Sequence, residues 1–252
     1  MKAFEFLDKV GKIDTNTMVL DKAIGYNTLD DMLTMTGEYF NLVKYGWGTS
    51  ILIDEDIIQK KNDLYHTYDI KTYPGGTLFE LAYKYGEIDK FFDTLDKLNF
   101  NAVEISNGST DIPEVDRADI IKQAKQLGFF TLSEVGKKNP KLDQEYSEET
   151  RVELINKDLE SGSDLVIIEG RESGKNIGIY DNSGNIKKDT FNMIINNTKK
   201  DKILWEAPQK NQQIDLILTL GNNVNLGNIN SNDIISLETL RRGLRGDTLG
   251  KV

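Results

Sequence analysis

Four glutamates recur in one kind of place along the chain. Glu104, Glu134, Glu169 and Glu206 each follow two or more apolar, strand-like residues, in "NAVEISNGS", "FFTLSEVGKK", "DLVIIEGRES" and "KILWEAPQK". Lys and Glu are rarely buried without partners, and four carboxylates brought to one depth repel one another unless a cation sits among them. A hard divalent ion such as Mg²⁺, held by oxygen ligands, would supply that charge. Pairing with Lys137 and Arg171 would also supply it, and the two are compatible. Other apolar runs end in Asp21 and Lys22, in Lys44, in Lys137 and Lys138, in Glu172, in Lys210, and in Asn225 and Asn228. For Lys22, Glu172 or Lys210 taken alone, an ordinary surface ion pair is an equally good account.

Other chemistries are closed by composition. The chain has no cysteine, which removes thiolate nucleophiles, disulfides and Cys-ligated zinc together. Its one histidine, His66, lies in "KKNDLYHTYDI" and reads as an ordinary helix residue; a multi-histidine metal site cannot be built. The working groups must be Lys, Arg, Asp, Glu and backbone. A net charge of −10 argues against broad nucleic-acid or anionic-membrane binding. No apolar run approaches the roughly 20 residues of a bilayer span. The segment "MKAFEFLDKV" places acids among its apolar residues, so no signal peptide is expected. A cytoplasmic protein with small-molecule partners is expected, and a homo-oligomer is compatible with the sequence.

The elements that must position these groups are eight short runs: "TMVLDK" (17–22), "FNLVKYGWGTS" (40–50), "IKTYPGGT" (70–77), "NAVEISNGS" (101–109), "FFTLSEVGKK" (129–138), "DLVIIEGRES" (164–173), "KILWEAPQK" (202–210) and "NVNLGNI" (223–229). Near-continuous apolar character suits parallel strands covered on both faces. Between them lie helix signals: Pro113 opens and Gly128 closes one segment, Ser147 caps another that Gly162 ends, and Gly221 ends a third. Asn99 takes the place of such a glycine, since Asn tolerates the left-handed conformation. No linker divides residues 1–252, and no G-x-G-x-x-G or P-loop follows a strand. The expectation is an α/β single-domain (β/α)₈ TIM barrel, with the charged residues gathered on the rim where all strands end. Glycines in "GWGTS", "PGGT", "SNGS" and "GRESG" lie just past strand ends, where bare N–H groups can approach an anion. Arg241, Arg242 and Arg245 read as late-helix residues complementing the macrodipole.

The strings "KYGWGTS", "YPGGTLFE", "EISNGS", "LSEVGKK", "VIIEGRESG", "LWEAPQK", "VNLGNI" and "ETLRRGLRGDT" occur in order, and from about residue 17 onward the chain resembles the phosphosulfolactate synthase family. The resemblance implies a (β/α)₈ barrel. It also implies a Mg²⁺-dependent addition of sulfite to C3 of phosphoenolpyruvate, with protonation at C2, as the first step of coenzyme M biosynthesis. On that basis Lys137 is expected to donate the proton, and Lys44 and Arg171 to clamp anions. Glu104, Glu134 and Glu169 are the expected metal ligands, with Asp21 and Glu206 as alternates. Lys22, Gly75, Gly76, Lys138, Gly227 and Asn228 are expected to contact substrate. Ala23 departs from the family pattern, which has Gly after Asp-Lys, and Asn107 stands where an Asp is expected. The rival expectations are a Schiff-base or other phosphoenolpyruvate-using barrel enzyme, and a barrel that only binds a partner.

Overall fold

The computed structural model describes residues 2–252; Met1, the first residue of the expected domain, lies outside the described residues. The strands are β1 Thr17–Asp21, β2 Leu42–Tyr45, β3 Lys71–Pro74, β4 Ala102–Ile105, β5 Phe130–Val135, β6 Leu165–Ile168, β7 Ile203–Glu206 and β8 Leu226–Asn230. The first seven fall within the runs that predicted them and β8 extends one residue past its run, and at least one helix separates every consecutive pair. They form one sheet in the order β3-β2-β1-β8-β7-β6-β5-β4, with parallel neighbours. β3 and β4 lie side by side where the ring closes, without ladder pairing. Side chains stitch that seam: Thr72 N donates to Asn101 Oδ1 at 2.9 Å and Gly76 N to Glu104 Oε1 at 2.8 Å. The fold is a nearly closed (β/α)₈ barrel.

The expected punctuation does its work. Pro113 precedes the helix Glu114–Gln126, and Ser147 Oγ accepts from Thr150 N at the start of the helix Glu148–Ser161. Asn99 takes φ 58°, the left-handed conformation inferred for it.

Strand parity then sorts the side chains into two layers. Met18, Leu20, Leu42, Tyr73, Ala102, Leu132, Leu165, Ile167 and Leu204 form one buried cluster, which fills the barrel interior. The residues between them, such as Val19, Val43, Val103, Val166 and Trp205, belong to a second cluster that packs the strands against the helices. Removing a side chain from such a core, as in Leu132→Ala, costs about 2–5 kcal/mol.

The same parity carries the inward rows upward to Lys44, Glu104, Glu134, Glu169 and Glu206. Glu104 is paired with Leu132 and Glu134 with Ile167, so Glu134 and Glu169 each stand two residues further along than the glutamate before, while the β6–β7 register sets Glu206 level with Glu169. Tilted barrel strands convert that stagger into one layer.

The opposite end of the barrel holds Asn225, expected at the rim, and Arg241, expected as a late-helix residue. Asn225 precedes β8, and its Nδ2 donates to Asp201 O at 2.9 Å and Ile203 O at 3.0 Å. It sits at the base because "NVNLGNI" contributes only its latter half to the strand. Arg241 is fully buried, donating to Asn222 O at 2.6 Å and Val224 O at 2.8 Å, which ties the last helix to the loop before β8. Among the described residues, no helix is long and apolar enough to cross a membrane.

Candidate active site

A cavity of about 570 Å³ opens at the carboxyl ends of the strands, lined by Lys44, Glu104, Glu134, Lys138, Glu169, Arg171 and Glu206 with rim residues Trp47, Thr77 and Asn228 among others. Its floor is a single ammonium among acids. Lys44 Nζ lies 2.9 Å from Glu104 Oε2, 3.2 Å from Glu206 Oε1 and 3.5 Å from Glu134 Oε2. All four side chains are buried or nearly so, and their attraction is correspondingly little screened.

Glu206 is the best-satisfied acid, since its Oε2 also accepts from Gly170 N at 2.9 Å and Arg171 N at 3.1 Å. Glu134 is the least: neither of its oxygens accepts a hydrogen bond, and Glu169 Oε2 is likewise without a partner. Glu134, Glu169 and Glu206 each bring one oxygen within 4.8 Å of the others. Glu169 Oε1 accepts from Arg171 N at 2.8 Å.

Burial and crowding divide the acids by protonation. Burial, followed by repulsion from Glu134 and Glu206, pushes Glu169 well above the ordinary carboxylate range. Burial pushes Glu104 up to about 7 against the pull of Lys44. Burial acts on Glu134 in the same direction, but Lys44 and Lys138 override it and hold this carboxyl low. Burial would lower Lys44, yet Glu104, Glu206 and Glu134 together raise it well above an ordinary lysine.

Lys137 and Lys138 part company. β5 ends at Val135 and Gly136 follows at φ 139°, a conformation that favours glycine. A Cβ there would also stand 2.6 Å from Glu169 Cβ. Past this turn Lys137 points away from the cavity: its Nζ donates to Asn107 O at 2.8 Å and to Asp111 Oδ1 at 3.0 Å. Lys138 takes the inward place, with Nζ 3.3 Å from Thr77 Oγ1 and 3.4 Å from Glu80 Oε1. The expected donor and its neighbour thus exchange positions, because the glycine resets the chain direction after the strand.

Asp21 is not brought to the cavity either. It is odd in parity with the inward Met18 and Leu20, so it faces the helix Glu55–His66, where Lys61 Nζ lies 2.6 Å and Tyr65 OH 3.0 Å from its Oδ2. Lys22 reaches the rim, paired with Glu172 and set 5.4 Å from the centre of the Trp47 ring. Gly75 and Gly76 line the cavity at the start of the helix Gly76–Tyr85. Gly76 is required by packing, since a Cβ would stand 2.3 Å from Ser106 Oγ and 2.6 Å from Glu104 Oε1. Gly227 faces the barrel interior, where a Cβ would meet Met18 Cε at 2.9 Å. Asn228, at φ 55°, does line the cavity and donates from Nδ2 to Arg171 O at 3.2 Å. Arg171, at φ 57°, spans the rim and donates to Lys138 O at 3.0 Å.

One participant went unread in the sequence. Glu80, buried in the helix after β3, contacts both the β4 loop and Lys138. The string "YPGGTLFE" contains it, but a glutamate on a helix looks like any surface acid.

Comparison with known proteins agrees over nearly the full length. Residues 11–247 match the family model described as ComA, (2R)-phospho-3-sulfolactate synthase. The chain is 50% identical over 252 residues to a phosphosulfolactate synthase of Methanocaldococcus jannaschii, covering 100% of both chains. It is 46% identical to a phosphosulfolactate synthase of Methanothermobacter thermautotrophicus, covering 100% of this chain and 99% of the other. Among solved structures it is similar to 3-hexulose-6-phosphate synthase from Salmonella typhimurium, with a TM-score of 0.56 at 14% identity over 94% of each chain, a likeness of fold alone. The chain belongs to the (2R)-phospho-3-sulfolactate synthase family.

Proposed function

We propose that the cavity adds sulfite to phosphoenolpyruvate with Mg²⁺ as cofactor, giving (2R)-2-O-phospho-3-sulfolactate. In class terms this is a carbon–sulfur lyase acting in the synthetic direction, and coenzyme M formation as the product's onward route belongs to the same proposal. The sulfur lone pair forms a bond to C3, the C2–C3 π pair moves toward C2 and the carboxylate, and C2 then takes a proton. Support comes above all from one observation: Glu134, Glu169 and Glu206 converge with three buried oxygens that have no hydrogen-bond partner. These are hard oxygen donors of the kind Mg²⁺ takes, and orphaned buried acids are costly unless a cation replaces the missing partners. They fit the ion, and Glu206 enters the set in preference to Glu104 because its carboxylate, not that of Glu104, brings an oxygen within 4.8 Å of those of Glu134 and Glu169. Bound there, Mg²⁺ would supply Lewis-acid stabilisation of charge developing on the substrate carboxylate.

The remaining roles fall to the chain's own groups. Lys138 lines the cavity as a partly exposed ammonium, so we assign it the proton transfer to C2 expected of Lys137. Lys44 binds three acids at once, which keeps them together and offsets their repulsion toward two anionic substrates. Arg171 offers a planar guanidinium for a phosphate or carboxylate, and Lys22, Gly75, Gly76 and Asn228 complete the rim. A Schiff-base mechanism needs a neutral lysine; Lys44 and Lys138 are both held above the ordinary range by their carboxylates, which disfavours it.

The experiment is ³¹P and ¹³C NMR of the protein with phosphoenolpyruvate and sulfite, with and without Mg²⁺. A saturated C2–C3 product that retains its phosphate and grows only with the metal is expected. Unchanged phosphoenolpyruvate in the presence of metal and folded protein would overturn the proposal.

A further inference from the structure

We infer that Glu80 is a positioning residue for Lys138, holding its ammonium at one wall of the cavity and away from the metal-site carboxylates. The inference rests on the proton-transfer role proposed for Lys138.

Glu80 lies in the helix Gly76–Tyr85 and is 1% exposed. A carboxylate so deep must be satisfied by donors, and four converge on it. Its Oε1 accepts from Ser106 Oγ at 2.7 Å and Gly108 N at 3.1 Å, and Lys138 Nζ lies 3.4 Å away. Its Oε2 accepts from Ser109 N at 2.7 Å. Glu80 therefore fixes the β4 loop and Lys138 with one group.

The lysine is confined along its whole length. Its backbone N donates to Gly108 O at 2.9 Å. Its stem crosses Gly108, where a Cβ would stand 3.0 Å from Lys138 Cγ and 3.1 Å from Cε. Its tip is shared between Glu80 and Thr77 Oγ1, one turn earlier on the same helix. Lys138 is otherwise a point charge on a flexible four-carbon stem, and Glu134, Glu169 and Glu104 compete for it across the cavity. Glu104 is already paired with Lys44 at 2.9 Å, and Glu80, outside the metal group, is the acid whose oxygen lies 3.4 Å from the Lys138 ammonium. It leaves those acids free for the ion while the ammonium stays at a set distance from the reacting carbon, and small displacements of such a group are costly in rate.

The test compares wild type, E80Q, K138M and the double variant, with circular dichroism and thermal melting to establish folding. With phosphoenolpyruvate, sulfite and Mg²⁺, E80Q is expected to lower kcat on the order of 10-fold to 100-fold. KM for phosphoenolpyruvate should change by no more than about threefold. The double variant should be no slower than K138M alone, because Glu80 acts through that lysine. Effects that multiply, or an E80Q variant with altered melting and unaltered kcat, would overturn the inference. Trace acetylation followed by mass spectrometry gives a readout that needs no substrate. Lys138 should react several-fold faster in E80Q than in wild type while Lys44 does not, and an unchanged Lys138 rate would also overturn it. That readout stands even where wild type proves inactive with phosphoenolpyruvate and sulfite, a result that would sink the reaction and not the positioning role. Should E80Q fail to fold, E80D withdraws the carboxylate by about 1.5 Å and should move both readouts in the same direction, less far; wild-type values in E80D would count against the inference.

Discussion

Two buried lysines sit one layer apart and do different work. Lys61, between the sheet and its helices, faces one acid: Asp21 at 2.6 Å, which is also bonded to Tyr65, with the Tyr45 ring 4.9 Å from the ammonium. Lys44, inside the barrel, faces three acids, and the group retains oxygens with no partner. The outward pair balances in charge and is closed to solvent. The inward group carries an excess of acid and opens into a cavity. Burial of a charge therefore does not mark a functional site; imbalance beside an open cavity does.

The largest effect should separate these two lysines. Lys44→Met is expected to lower kcat on the order of 10⁴-fold, whereas Lys61→Met should leave kcat per folded molecule unchanged. Lys61→Met should instead cost about 3–5 kcal/mol by stranding Asp21, read by denaturant unfolding. Comparable kcat losses in both variants would erase the distinction.

Next in size is the contrast between adjacent residues. Lys138→Met should reduce kcat by about 10²–10³-fold, and Lys137→Met by no more than about threefold, measured side by side with the same substrates. The reverse order would return the proton transfer to Lys137.

The inward group should also give the metal-free protein an unusual pH dependence. Glu104 holds its proton up to about 7 in the folded state, against 4.5 for an ordinary glutamate, and Glu169 shifts in the same direction. Between those values the folded protein keeps protons that the unfolded chain has released, so stability falls as pH rises. Glu134 shifts the other way, and its contribution is lost only as pH falls below 4.5; those of Lys44 and Lys138 are lost only above 10.5. Melting temperature should drop by roughly 5 °C from pH 5 to pH 7.5, and Glu104→Gln should flatten that slope. A flat wild-type profile would contradict the assignment.

The smallest effect concerns the turn after Asp21, on the balanced side of the comparison. Ala23 sits at φ 67°, where a Cβ is unfavourable. Ala23→Gly should raise stability by up to about 1 kcal/mol, the relief of strain being partly offset by unfolded-chain entropy, without changing kcat.

These contrasts also mark what could be seen before folding. The eight strands were legible because Gly, Asn and Pro punctuate runs of buried residues, and Glu104, Glu134, Glu169 and Glu206 were legible because each interrupts such a run. Parity was not. In a parallel strand covered on both faces the inward and outward residues are equally apolar, so "TMVLD" does not say that Leu20 faces in and Asp21 out. Nor does "EVGKK" declare that Gly136 turns Lys137 away and brings Lys138 in. That depends on one backbone conformation and on the space beside Glu169. Glu80 was hidden for a third reason, since its burial comes from the β4 loop folding over a helix face that its own local sequence does not describe.

The central claim is that the inward acids Glu134, Glu169 and Glu206 hold a divalent cation, which relieves the crowding that pushes the Glu169 carboxyl upward. Calorimetric titration of Mg²⁺ into metal-free protein at pH 7, with and without phosphoenolpyruvate, in two buffers of different ionisation enthalpy, tests it most directly. The account predicts that binding releases protons, with both binding and release weakened in Glu169→Gln. Failure to bind under either condition, or binding that releases no proton and ignores Glu169→Gln, would contradict it.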